Sequence, residues 1–185
     1  MRWLIVILLA ASIAVGQTAP NTPRSRTPQR TPAAKPAAKV FLATLSKVKA
    51  SSHVVILLPS ELPQPIAGAK HAAVEAASKN EYAISLYYEL GVGDSGFAAS
   101  FGAKAYPRYR PDELPNLHRV QLAHDIVGYF HPVSCGGSCA PANLWWEEDQ
   151  VLYQIQLRLP STLPVRDQQN AIVTTANSAI LAGPR

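Results

Sequence analysis

The chain has 185 residues, a formal net charge of +5, 48% hydrophobic residues and two cysteines. The charge is unevenly placed: residues 1–39 hold six basic and no acidic side chains, whereas residues 40–185 hold eleven basic and twelve acidic ones. A near-neutral domain carries no electrostatic footprint for nucleic acid, so no nucleic-acid partner is expected.

The chain opens with "MRWLIVILLAASIAVG". Arg2 supplies a positive n-region, Trp3 to Gly16 an apolar run, and Ala14 and Gly16 the small residues of a signal-peptidase site. Residues 1–16 therefore read as a signal peptide, an uncleaved anchor being the alternative. The run is short of the roughly 20 apolar residues that span a bilayer. Export to a bacterial periplasm or the extracellular space is the expectation. A lipid anchor is not expected, because no cysteine lies near the cleavage site.

Residues 17–39 are rich in Pro, Thr and Ala with spaced positive charges, and read as a disordered linker. It could rest on an anionic surface by charge alone, or serve simply as a solvated tether. Residues 40–185 suit one domain with one core.

Within that domain, His53–Leu58 reads as a strand stopped by Pro59, Pro63 and Pro65. In "AKHAAVEAASKNEYAISLYYEL", Ala72, Val74 and Ala76 alternate and Lys79-Asn80 makes a turn, which gives a hairpin; the alanines leave a helix over 69–79 as the alternative. Ile84, Leu86, Tyr88 and Leu90 share one face. "GVGDSG" is a turn, "FAASFGAKAY" a further strand and "AYPRYRPDELPNLHR" a loop. "VQLAHDIVGYF" gives another strand region. In "LWWEEDQVLYQIQLRL" Val151, Tyr153, Ile155, Leu157 and Leu159 alternate with Leu152, Gln154, Gln156 and Arg158, and Glu148-Asp149 or a neighbouring pair reverses the chain ahead of them. The end is helical: Pro164 near its start, Asp167 in the first turn, an apolar stripe of Ile172, Val173, Ala176, Ala179 and Ile180, and Gly183-Pro184 as the stop. Strands followed by a closing helix indicate an α+β fold: a single antiparallel, curved sheet of about six or seven strands with a C-terminal helix packed on it.

Two stretches carry a family resemblance. "VVILLPSELPQPI" is similar to the opening of a bacterial extracytoplasmic domain that begins with a strand and a Pro-Ser-x-Leu-Pro turn. "LWWEEDQVLYQIQLRLPSTLPVRDQQNAIVTTANSAI" resembles its ending, a Trp-x-Glu hairpin, a Tyr early in the next strand and a helix closing with Ala-Asn-Ser. That domain, of unsettled biochemical role, occurs at the C-termini of some anti-sigma-type regulators and sporulation lipoproteins, and is akin to the curved-sheet folds of lipoprotein carriers and periplasmic stress sensors. The resemblance covers Val54 to Ile180 and implies an exported binding or sensing module with no catalytic residues. The chain departs from the family in lacking a cytoplasmic sigma-binding part, and its cysteine loop is not a family feature.

Cys135-Gly-Gly-Ser-Cys139 admits three readings. Two cysteines in an exported chain pair, and a disulfide over so short a loop stabilises by about 2 kcal/mol on chain-entropy grounds. A redox centre would put the attacking cysteine at a helix N-terminus, and here a strand follows. A metal site could use His131, Cys135 and Cys139, one ligand short of a closed zinc shell. His124 and Asp125 are remote from that set if they share one strand with His131. No cofactor is expected. With Met1 the lone methionine, a thioether-assisted copper site is not expected in the mature chain.

"GDSG" at Gly93 to Gly96 is a turn before it is a protease motif, since a nucleophile needs an oriented base and His53, His71, His118 and His124 offer no such pattern. The chain therefore reads as a non-enzyme. Tyr106, Arg108, Tyr109 and Arg110 interleave aromatic and cationic side chains in a Pro-broken loop, a contact surface or an ordinary solvated loop. Trp145 and Trp146 point to opposite sheet faces, so at least one is a candidate contact residue. The function expected is binding or sensing through a protein or cell-envelope partner. The alternatives are carriage of apolar, lipid-like ligands on a concave sheet face under the helix, and metal or thiol chemistry at Cys135/Cys139.

Overall fold

The computed structural model describes residues 35–107 and 117–185. The leader, most of the linker, and Arg108, Tyr109 and Arg110 lie outside the described residues.

The fold is α+β. Helix α1 (Leu42–Ser51) is followed by strands β1 (His71–Ser78), β2 (Glu81–Tyr87), β3 (Phe97–Ala105), β4 (His118–Gln121), β5 (Val127–His131), β6 (Ser134–Cys135), β7 (Cys139–Ala140), β8 (Ala142–Glu148) and β9 (Val151–Leu157), and helix α2 (Val165–Ala182) closes the chain. Seven strands form one sheet in the order β1-β2-β3-β9-β8-β5-β4, and β6 and β7 form a separate two-stranded ladder. Every neighbouring pair is antiparallel. Two meanders, β1–β3 and β4–β9, are thus joined where β9 returns to β3.

The period-two pattern decides the faces. Register aligns Ile84, Phe101, Ile155, Leu144 and Phe130 across five strands, and all five are buried. Ile172, Ala176 and Ala179 of α2 join the same core, as do Phe41 and Val48 from α1 and the turn before it. Phe41 meets Phe101 edge-on, ring centroids 5.2 Å apart. The polar members of the α2 stripe are satisfied: Gln168 Nε2 donates to Leu163 O and Thr175 Oγ1 to Ala171 O.

The hairpin reading of residues 71–87 is the one the fold adopts, with Lys79-Asn80 between the strands. Three other expectations need correction. First, His53–Leu58 is not a strand. It is an extended cover, buried at Val54 and from Ile56 to Leu58, whose backbone is paired by other means: Tyr82 Oη bonds both polar groups of Leu57, Tyr153 Oη donates to Val55 O, and Arg185 reaches Ile56 O and Leu58 O. Its apolar run reflects burial, and burial does not require a ladder. Second, residues 118–131 are a hairpin. His124 and Asp125 occupy the left-handed region at φ 57° and 59° in the turn between β4 and β5, so the expected strand spacing from His131 does not apply.

The β8–β9 hairpin reverses at Asp149-Gln150, a pair neighbouring Glu148-Asp149 as the sequence allows, both residues left-handed as a two-residue turn between twisted strands requires. Third, the folded part begins before residue 40: Ala37 is buried and Ala38 N–H bonds Pro59 O. Helix α1 follows at once. Phe41, Thr44, Leu45 and Val48 have helical spacing, and Thr44 satisfies its hydroxyl on Phe41 O.

Candidate functional site

The side of the sheet that α2 covers is filled by the aromatic and branched side chains named above, and a concavity floored by small side chains lies on the other side. There the alternating positions are small or polar: Ala76 and Ala83 on β1 and β2, Ser100 and Gly102 on β3, Gln154 and Gln156 on β9, Asn143 on β8. Buried Trp145 and Leu152 also stand on this side, outside the main core cluster.

A cavity of about 310 Å³ sits on this face, floored by Ala76, Ala83, Ser100 and Gly102 and walled by Leu152, Gln154 and Pro107. Gly102 leaves little room for a side chain, since a Cβ would come within 3.1 Å of Tyr82 O. Glu81 and Lys104 close one rim as an ion pair at 3.0 Å. Gln154 Nε2 donates to Asn143 Oδ1, and Asn143 Nδ2 to Pro141 O. The floor is therefore low, apolar in area and edged with hydrogen-bonding groups, at the small end of ligand-site volumes.

A second cleft, of about 540 Å³, opens where the excursion between β5 and β8 meets the sheet end. Phe97, Gln156 and Leu159 line it from the sheet and its end, and Val133, Ser138, Cys139 and Pro141 from the excursion. Cys135 and Cys139 form a disulfide, S–S 2.06 Å, across the β6–β7 ladder. Both are exposed. In this form neither sulfur is a thiolate, and His131 sits at the end of β5 with Nδ1 2.8 Å from Pro132 O. Among the described residues, no three His, Cys, Asp or Glu side chains converge to hold a metal.

The expected contact residues divide. Tyr106 is 73% exposed, at the start of the loop that leads out of the described residues. Trp145 is 8% exposed and Trp146 1%, so the expectation that one of them is a surface aromatic is overturned. Alternation placed them on opposite faces correctly, but both faces are covered at that row. Trp146 stacks on Tyr153 at 5.2 Å and 12°. Neither indole Nε1 has a hydrogen-bond partner among the described residues.

The remaining motifs are structural. Ser95 of "GDSG" donates to Val92 O at 2.5 Å and closes its own turn. Ser60 of the Pro-Ser-x-Leu-Pro turn meets Ser178 of the Ala-Asn-Ser ending, with Ser60 N–H to Ser178 Oγ at 3.2 Å and the two hydroxyls 3.2 Å apart. Asn177 Oδ1 accepts Ala123 N–H at 2.7 Å and holds the β4–β5 turn. Burial pushes the hydroxyls of Tyr82 and Tyr153 up, the carboxylates of Glu148 and Asp149 adding to the second. Both hydroxyls donate to the 53–59 cover, at Leu57 O and Val55 O.

The floor of small residues was visible in the sequence only as alanine-rich alternation, and the signal for it is the pairing of Ala76, Ala83 and Gly102 across three strands. No family model, curated protein or solved structure matches this chain.

Proposed function

We propose that the chain is an exported, non-enzymatic binding module that meets a protein or cell-envelope partner on the helix-free face of its sheet. The observation that carries this reading is the asymmetry of the two faces. One is filled by α2 and the core, and the other keeps concavities of about 310 and 540 Å³ bordered by Ser100, Gln154 and Gln156. Apolar floors edged by a few oriented polar groups suit recognition. The leader-like start, the basic Pro-rich segment and the disulfide support a periplasmic or extracellular setting, where disulfides persist. The resemblance to the extracytoplasmic domain of anti-sigma-type regulators supports a sensing role. No helix among the described residues is long and apolar enough to cross a membrane.

Photo-crosslinking tests the proposal. A photoreactive residue placed at Ser100 or Gln156 of the full chain, in cells that export it, is expected to give discrete adducts. The same residue at Arg166, on the exposed side of α2, is expected to give none. Adducts from Arg166 alone would overturn the proposal.

A second reading, carriage of an apolar ligand, is favoured by Phe97, Val133 and Leu159 in the second cleft. Native mass spectrometry of the purified protein separates the two, since a carrier retains ligand mass and a protein-binding module does not.

A further inference from the structure

The excursion from residue 132 to 141 is pinned at its two feet. Val133 N–H donates to Gln168 Oε1 at 2.8 Å, the glutamine side chain being itself buried in α2, and Pro141 O accepts from Asn143 Nδ2 at 2.9 Å. Between the feet lies a ladder of two residue pairs, Ser134 with Ala140 and Cys135 with Cys139, outside the main sheet. At its tip Gly136 N–H bonds Ser138 O, and a side chain at Gly136 or Gly137 would meet nothing within 4 Å. A ladder this short does not persist in water on its own strength. The disulfide is what keeps it closed, and both sulfur-bearing residues are exposed to a reagent. The same residues, Ser138 to Pro141, make one wall of the 540 Å³ cleft.

We propose that Cys135–Cys139 is a thiol-operated latch on this cleft. The co-reactant is an external dithiol. Its thiolate attacks one cysteine sulfur, the protein S–S bond breaks, and a mixed disulfide forms while the other cysteine leaves as a thiolate and takes up a proton. The second thiol of the reagent, deprotonated in turn, then displaces the attacked cysteine, which is protonated as well. The reagent ends as a disulfide and the protein as a dithiol, a transfer of two electrons and two protons. Latched, the hairpin cups the cleft. Unlatched, the ladder melts between its pinned feet, the Ser138–Ala140 part of the wall withdraws, and Phe97 and Leu159 gain exposure.

The latch bears on the second cleft as a binding place, yet its test uses no partner, so its failure leaves the proposed binding face standing. The full chain, with and without dithiothreitol and no denaturant, is treated briefly with proteinase K and probed with 1-anilinonaphthalene-8-sulfonate. Reduction is expected to speed cleavage within residues 133–141 at least tenfold, leave β8, β9 and α2 uncut, and raise probe emission at least threefold. The double variant Cys135→Ser/Cys139→Ser is expected to match the reduced protein and ignore dithiothreitol. Unchanged cleavage would overturn the latch. So would cleavage spread through β8, β9 and α2, which would make the disulfide a staple of the whole fold. Local cleavage without a probe response would show that the hairpin opens but does not guard the cleft, and would overturn the proposal equally.

Discussion

The hydroxyl of Tyr82 lies 3.1 Å from both the N–H and the carbonyl oxygen of Leu57, accepting from the first and donating to the second. One side chain thus replaces a neighbouring strand for a buried peptide unit. Removing it leaves a donor and an acceptor without partners in the core, each costing about 1–3 kcal/mol. Tyr82→Phe is therefore expected to destabilise by about 2–6 kcal/mol. Tyr153→Phe, which loses one bond to Val55 O at 3.2 Å, should cost about 1 kcal/mol. Urea unfolding of the two variants checks the order, and an equal cost would refute this account of the cover segment.

The same hydroxyl predicts alkaline sensitivity. Burial raises Tyr82 above the ordinary phenol value of 10.0, so the folded state keeps its proton where the unfolded state releases it. The stabilisation is complete below the unfolded value and is lost as pH rises toward the folded one. Above pH 10 the contribution of Tyr82 should approach about 1.4 kcal/mol of lost stability per pH unit. Stability measured from pH 9 to 11.5 should fall, and Tyr82→Phe should flatten the fall. Parallel slopes in the two proteins would contradict the prediction.

The parts of the fold legible in the sequence are those where one physical signal acts alone. Val151 to Leu159 alternates because β9 is central with one core face, and α2 shows its stripe because it docks on that face. The segment His53–Leu58 misled because Val54, Ile56, Leu57 and Leu58 are buried while the backbone is paired by tyrosine and arginine side chains, and hydrophobicity alone does not distinguish that from a ladder. The β4–β5 turn was hidden because His124 and Asp125, rather than glycine, take the left-handed conformation. Helix α1 buries Thr44 on its apolar stripe, which blurs the period. The open face was the least legible part, since alanine and glycine on adjacent strands become a cavity floor only once register is known.

Trp146 presents an unusual balance. Its ring is buried against Tyr153, but its indole N–H has no partner among the described residues. An unpaired buried donor costs about 1–3 kcal/mol, which offsets part of the packing. Trp146→Phe is expected to lose less than about 1.5 kcal/mol, against about 3–5 kcal/mol for Trp146→Ala. Chemical denaturation distinguishes the outcomes. A phenylalanine variant as damaged as the alanine one would mean that the indole is held by more than packing.

Gln150 adopts φ 63° at the second position of the β8–β9 turn, where glycine carries no steric penalty. The variant Gln150→Gly should stabilise the protein by about 0.5–1 kcal/mol, because relief of the left-handed conformation exceeds the added freedom of the unfolded chain. The backbone carbonyl of Gln150 that accepts from Tyr106 N–H is retained. A lowered denaturation midpoint would show that the glutamine side chain contributes more than the turn costs.

Ala83 separates binding from folding. It lies on the floor of the 310 Å³ cavity, on the face opposite the core, so a larger side chain there projects into open space. Ala83→Leu is expected to leave stability within about 0.5 kcal/mol of the parent, as surface substitutions usually do. It should nevertheless cut the yield of adducts crosslinked from Ser100 at least tenfold, because leucine fills the floor that a partner would contact. Undiminished crosslinking in a variant of unchanged stability would remove this cavity from the binding face and leave the cleft beside the disulfide hairpin as the place where the partner docks.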